Sequence, residues 1–291
     1  MPVGVVDVGS NTVRLLVEVR GQPVLSEREL LRLGSDVEKD GRISPEKLDL
    51  AANVVAGYVA DARIAGVTEL EVLITSPGRQ AENGVELLTR LQAAAGGFPV
   101  RILTAVEEGR LAFVGAIALA DPPPRRHVAV VDVGGGSAQV VVGTRQDGPQ
   151  WARSIDLGSQ RLTSRLLDGD PPGDEALEAA RIDVDRYAAE LEPPRARAAF
   201  AVGGSARALK RIVGPRLGRD ELAEAREVLS STPAAVVARE FAIDPGRTRT
   251  LAAGAVILSA LQARLDTPLK VVRGGLRDGA ISELEARALA A

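Results

Sequence analysis

One thirteen-residue pattern recurs. VVDVGSNTVRLLV occupies residues 5–17 and VVDVGGGSAQVVV residues 130–142, so Asp7 and Asp132 stand 125 residues apart in a chain of 291. Each copy reads as a buried apolar strand, then Asp-x-Gly with small residues, then a second apolar strand. Small residues between two apolar runs signal a hairpin turn. A hairpin of the same make opens each half, which points to an internal duplication. The length agrees with about two domains.

Strands and helices mix in both halves. In the first, a strand near 23–33 follows the hairpin, and Ser44-Pro45 opens a helix to about residue 65. A strand at 71–74, a helix to about 94, a strand at 99–103 and a helix over 106–120 complete it. Asp121-Pro-Pro-Pro124 is a natural break. The second half restarts with strands near 128–142 and 151–157, then a helix from about 159. A polar helix to about 192, a strand at 200–202 and a helix at 206–213 follow. An Ala-rich helix over 248–265, a strand at 269–272 and a helix at 276–290 end the chain. The expectation is an α/β protein of two domains, 1–124 and 125–291, packed around a cleft.

Composition narrows the chemistry. No cysteine and a single histidine, His127, exclude thiolate chemistry and any metal site built on several imidazoles. Aromatics are 2%, so a base-stacking platform is not expected, and a net charge of −3 argues against a general nucleic-acid surface. Any anionic ligand must be held by local donors or by a cation. The longest apolar run, 251–261, is too short to span a bilayer, and no basic leader precedes the first strand. Cytoplasm is the expected compartment. Only four of the 36 basic residues are lysines, and arginine is the better bidentate phosphate ligand.

The two turns suit phosphate. Gly9 to Thr12 and Gly134 to Ser137 expose backbone N–H groups on one side with little Cβ to block approach. Ser10, Asn11 and Ser137 add side-chain donors. Gly203-Gly204-Ser205 ahead of a helix is a third candidate anion contact. The strand-end Asp7 and Asp132 would repel phosphate unless a cation lay between. Mg²⁺ takes carboxylate, water and phosphate oxygens together, so both aspartates are candidate Mg²⁺ ligands. Glu107 and Glu108 open a helix. They are either partners of its dipole or, in a chain so poor in His and Cys, the base for water attack. Arg79 falls at a strand-to-helix junction facing the expected cleft, as a phosphate ligand or a solvated helix residue. Arg161, Arg165, Arg207, Lys210, Arg273 and Arg277 are candidates to line a path for an anionic chain.

Several ordered segments carry a family resemblance. VVDVGSNTVRLL, LRLGSDVEKDGRIS (31–44), TSPGRQAEN (75–83), LTAVEEGRLAFVGA (103–116), VVDVGGGSAQ, DLGSQRLT (156–163), RTRTLAAGAVIL and GGLRDGAI resemble the exopolyphosphatase/guanosine pentaphosphate phosphohydrolase (Ppx/GppA) family. That family sits within the actin, hexokinase and chaperone superfamily, and the resemblance runs over nearly the whole chain. It implies a duplicated actin-like (ribonuclease H-like) fold with an interdomain cleft, the last helix being a candidate to pack back on the first domain. Residues 31–44 would be a hairpin and loop. Glu108 would be the catalytic base, Asp132 and Gly134 the second phosphate loop and its Mg²⁺ site, and Asp7, Ser10 and Asn11 the first loop. Arg79 would bind phosphate. The implied reaction is in-line attack of water on a terminal phosphate of inorganic polyphosphate or (p)ppGpp, with a homodimer as candidate assembly. One departure stands out. Gln139, counted among the phosphate-loop residues, occupies a place where the family usually has glutamate; its amide hydrogen-bonds but is no base. That leaves a binding protein with weak or no turnover as an alternative. The resemblance is to short, two-domain members, so the extra C-terminal domains of long members are not expected.

Overall fold

The computed structural model describes residues 2–123 and 125–290; Pro124, at the suggested boundary, lies outside the described residues, as do Met1 and Ala291. The first half runs β1 (Pro2–Val8), β2 (Thr12–Val19), β3 (Gln22–Leu30), α1 (Leu33–Asp40), α2 (Pro45–Ile64), β4 (Glu69–Ile74), α3 (Ser76–Gln80), α4 (Gly84–Ala94), β5 (Val100–Ile102) and α5 (Ala105–Ala120). The second runs β6 (Val128–Val133), β7 (Ala138–Thr144), β8 (Gly148–Ile155), α6 (Ser159–Leu166), α7 (Asp174–Ala188), β9 (Ala198–Val202), α8 (Gly203–Val213), β10 (Arg216–Leu217), α9 (Arg219–Ser231), α10 (Ala234–Glu240), α11 (Pro245–Thr248), α12 (Leu251–Leu265), β11 (Leu269–Val271) and α13 (Leu276–Ala290).

The two sheets share one plan. Their strand orders are β3-β2-β1-β4-β5 and β10-β11-β9-β6-β7-β8, so β6, β7, β8, β9 and β11 repeat the order of β1, β2, β3, β4 and β5. In each, an antiparallel three-strand meander is extended by parallel strands. This is the duplicated actin-like α/β fold that the resemblance implies. The central strands are continuous Val/Leu runs because both faces are covered. Residues 31–44 are not a hairpin and loop. They form α1, entered through Arg32 at φ 53°, with the Gly34 amide donating to the Ser10 carbonyl at 2.7 Å. The helix expected to reach residue 94 is broken at 81–83, where a Cβ on Gly84 would fall 2.1 Å from the Gly78 carbonyl oxygen.

The closing helices cross over. Ala112, Phe113, Ala116 and Ile117 of α5 pack on Val128, Val130, Val141, Phe200 and Val202 of the second sheet. Leu276, Ala280, Ile281 and Leu284 of α13 pack on Val3, Val5, Leu16 and Leu73 of the first. The two helices meet backbone to backbone. A Cβ on Gly115 would lie 2.2 Å from the Gly275 carbonyl oxygen, and one on Gly279 2.0 Å from that of Leu111. Gly115→Ala is therefore expected to cost about 1–3 kcal/mol by forced repacking. Denaturant unfolding measures it; an unchanged midpoint would mean that the crossing is loose.

Candidate functional site

The two repeat hairpins fold alike and converge. In each, the glycine after the aspartate closes the turn: Gly9 N–H donates to the Thr12 carbonyl and Gly134 N–H to the Ser137 carbonyl, both at 3.0 Å. The turns touch across the cleft, since a Cβ on Gly136 would meet Ser10 Oγ at 2.6 Å and Ser76 Oγ at 2.7 Å. Together they line a cavity of about 130 Å³. Asp7, Gly9, Ser10, Asn11, Thr12, Glu108, Asp132, Gly134, Gly135, Gly203 and Gly204 border it. Ser10, Asn11 and Gly135 have amides that donate to no protein carbonyl among the described residues. Unpaired N–H groups on a polar cavity are donors held ready for an anion.

Other candidates lie off the cavity. Gly136 is packed between the loops, and Ser205 is buried against Gly254. Ser137 and Arg79 face a separate recess. Gln139 is buried; its amide nitrogen donates to Ser137 Oγ at 2.9 Å and Ser154 Oγ at 3.3 Å, and its Oε1 has no partner among the described residues.

The neighbouring glutamates have opposite environments. Thr104 caps α5 through a reciprocal pair: Glu107 N–H donates to Thr104 Oγ1 at 3.2 Å, and Thr104 N–H to Glu107 Oε2 at 2.8 Å. The Thr104 hydroxyl, donating to Glu107 Oε2 at 2.7 Å, and the Thr104 N–H hold the Glu107 carboxyl below its usual range, with Arg101 helping. One residue on, the 100° helical step turns Glu108 inward. It is 7% exposed and meets one cation, Arg79, at 2.7 Å. Burial pushes its pKa up to about 7; Arg79 opposes this, and Asp132 and Asp7 add to it. A carboxyl poised near neutrality fits a proton acceptor. Arg79 is fixed by a second bond, to the Leu103 carbonyl at 2.7 Å.

Asp7 and Asp132 point into the cavity without an ion-pair partner within 4 Å among the described residues. Burial raises both, Asp132 to about 6, with Arg14 and Arg277 opposing at Asp7 and Arg207 at Asp132. Among the described residues no three His, Cys, Asp or Glu are grouped to hold a metal. The donor set therefore suits a hard cation that keeps waters and borrows oxygens from its substrate.

Beyond the aspartates the cavity opens into a corridor of about 480 Å³, with Arg14, Gly204, Arg207, Arg247 and Arg277 on both. Arg28, Lys210, Arg211 and Arg273 continue it. Arg14, Arg207, Arg247 and Arg277 have no carboxylate within 4 Å among the described residues. Burial lowers the pKa of each; Arg247 falls to about 10, with Arg14 and Arg207 contributing. Guanidiniums without a carboxylate partner, gathered on a passage that also carries Glu27 and the Arg28-paired Asp244, are suited to an anion. Of the six basic residues suggested by sequence, Arg207, Lys210, Arg273 and Arg277 line it. Arg161 and Arg165 do not; they pair with Glu38, Asp156 and Asp183. Arg14, Arg28, Arg211 and Arg247 were not foreseen. Arg14 was findable: it stands opposite Asp7 in the β1–β2 ladder, as Gln139 stands opposite Asp132.

Known proteins resemble the chain along its length. A profile of the Ppx/GppA phosphatase family matches residues 13–288. Exopolyphosphatase 1 of Mycobacterium tuberculosis is 30% identical, over 97% of this chain and 87% of that protein. A crystal structure described as an exopolyphosphatase-like protein is 27% identical with TM-score 0.88, covering 99% of this chain and 100% of that one. The Aquifex aeolicus member of the Ppx/GppA family shares the fold at 24% identity and TM-score 0.81, over 99% and 98%. Among the described residues no helix is long and apolar enough to cross a membrane. The chain belongs to the Ppx/GppA phosphatase family.

Proposed function

We propose that this protein removes the terminal phosphate of inorganic polyphosphate. The observation that carries this reading is the arginine corridor leading to a cavity with Glu108 on its wall. The corridor has no aromatic side chain among its lining residues, so it offers charge for a phosphate chain and no platform for a guanine base. This favours polyphosphate over (p)ppGpp.

The free amides of Ser10, Asn11 and Gly135 bind the terminal phosphate, and the arginines hold the chain behind it. Glu108 orients a water and takes its proton. The water oxygen bonds to phosphorus, the bridging P–O bond breaks, and its electron pair leaves on the shortened chain. Donors already in place meet the charge that develops on the phosphoryl oxygens. Asp7 and Asp132 would hold Mg²⁺, which when bound would offset negative charge on the phosphate.

A side-by-side assay of phosphate release with Mg²⁺ from polyphosphate, guanosine pentaphosphate and ATP tests this. Polyphosphate is expected to be cleaved fastest; release from none of them would refute the hydrolase. A binding protein without turnover is the second reading, motivated by Gln139 and its unpartnered Oε1. It predicts a wild type that binds and does not cleave, and a Gln139→Glu variant that gains turnover.

The metal has a stability signature. The pKa of Asp132 rises from its ordinary 3.8 to about 6 on folding, so the folded protein holds that proton more tightly. The resulting stability is complete below the unfolded value and lost as pH rises through the folded one. Metal-free protein is therefore expected to melt lower at about pH 8 than at about pH 5. Asp132→Asn should lessen that loss. Mg²⁺ should restore the wild type and leave the variant unmoved. Melting curves identical in all four conditions would remove the aspartates from metal binding.

A further inference from the structure

Resting on the hydrolase reading above, we propose that the recess lined by Arg79, Gln80, Ala105, Ser137, Ser154 and Arg161 is a separate exit for orthophosphate. Product leaves there while the shortened chain stays in the arginine corridor.

The recess measures about 470 Å³ and shares no lining residue with the cavity or the corridor. A thin wall divides it from the cavity. Within α3, Ser76 faces the cavity while Arg79 and Gln80 face the recess. Along the second hairpin, Gly134 and Gly135 face the cavity and Ser137 the recess. The Arg79–Glu108 pair spans the wall, Glu108 on the cavity and Arg79 on the recess, at 2.7 Å. Gln80 closes the seam by donating to the Gly136 carbonyl at 3.0 Å and to Asp156.

The direction of the chemistry points product at this wall. In an in-line displacement the attacking water and the leaving oxygen lie on opposite sides of phosphorus. The leaving chain occupies the corridor, so the freed phosphate is carried toward Glu108, away from the arginines. The corridor behind it is filled by a polyanion that repels it. Once Glu108 has taken the proton of water it is neutral and holds Arg79 less firmly, which frees that guanidinium for phosphate. The recess then supplies suitable donors. Arg79 is the cation that this step releases; Arg161 stays paired with Glu38 and Asp156, the Gln80 amide with Gly136 and Asp156, and the Ser154 hydroxyl with the Ala138 carbonyl. Ser137 Oγ already accepts from Gln139, leaving its own proton to donate. The one carboxylate present, Asp156, is bonded to Arg161 at 2.8 Å.

Ala105, in the first turn of α5, lines the recess and borders neither the cavity nor the corridor. Ala105→Phe fills the exit. Ala105→Asp places a negative charge in it and suits a helix N-terminus. Each variant is mixed rapidly with Mg²⁺ and a short polyphosphate, and acid-quenched phosphate is compared with free phosphate seen by a fluorescent phosphate sensor. First-turnover cleavage is expected to stay within about twofold of wild type, with a burst of about one phosphate per site. Steady-state release is expected to fall about tenfold or more. Wild-type steady-state rates without a burst in both variants would overturn the exit, as would loss of the first-turnover step in both. A wild type that cleaves no polyphosphate would instead overturn the hydrolase reading itself.

Discussion

Glu108→Gln is expected to lower the rate of polyphosphate cleavage by about 10²–10⁴-fold, the range for removing one general base. Glutamine keeps the size of the side chain and an oxygen that accepts from Arg79, so the wall of the cavity stays in place. What disappears is the capacity to take a proton. Affinity for the chain should hardly change, because the arginines and turn amides that grip it are untouched. The pH profile adds a second signature. The Glu108 pKa is pushed up to about 7, and kcat/KM reports groups of the free enzyme. Wild-type kcat/KM should therefore rise with pH through about 7, and the residual activity of the variant should lose that limb. An equal fall in affinity and rate would make Glu108 a structural residue.

Arg247→Ala is expected to raise KM for polyphosphate by about 10–100-fold, the loss of one charged hydrogen-bonding group at roughly 1.5–3 kcal/mol. The effect on kcat should be smaller, since Arg247 holds the chain in both ground and transition states. Its guanidinium lies over Gly204, where a Cβ would fall 2.0 Å from Nη1, so no protein side chain takes over the vacated place. Stability should move the other way. Arg247 is buried and crowded by Arg14, Arg207 and Arg28, with Asp244 opposing, and removing it relieves that burial cost and repulsion. Assays across salt concentrations alongside melting curves check both parts. A variant with unchanged KM and a lower melting point would assign Arg247 to structure.

The fold was legible because the repeat is a hydrogen-bonding pattern as well as a string of letters. VVDVG fixes a strand and a turn, and its recurrence fixes the pseudo-symmetry of two sheets. Residues 214–248, which hold β10, α9, α10 and α11, carried no comparable signal, since short amphipathic helices depend on the core they cover. Periodicity left Glu107 and Glu108 open between helix cap and base. The structure gives one residue to each environment, because adjacent helix positions point different ways. Corridor arginines such as Arg28 and Arg247 are far apart in sequence, and only the closing of the two halves brings them together. Arg161 and Arg165 looked equivalent to Arg207 by composition and differ only in finding Glu38 and Asp183 beside them.

A crystal structure of the Glu108→Gln protein with Mg²⁺ and a short polyphosphate tests the central claim most directly. The account predicts the terminal phosphate between the Ser10–Asn11 and Gly134–Gly135 turns, a water between phosphorus and residue 108, and the chain running out past Arg247 and Arg207. A polyphosphate seated on one turn alone, or a chain leaving away from the arginines, would contradict it.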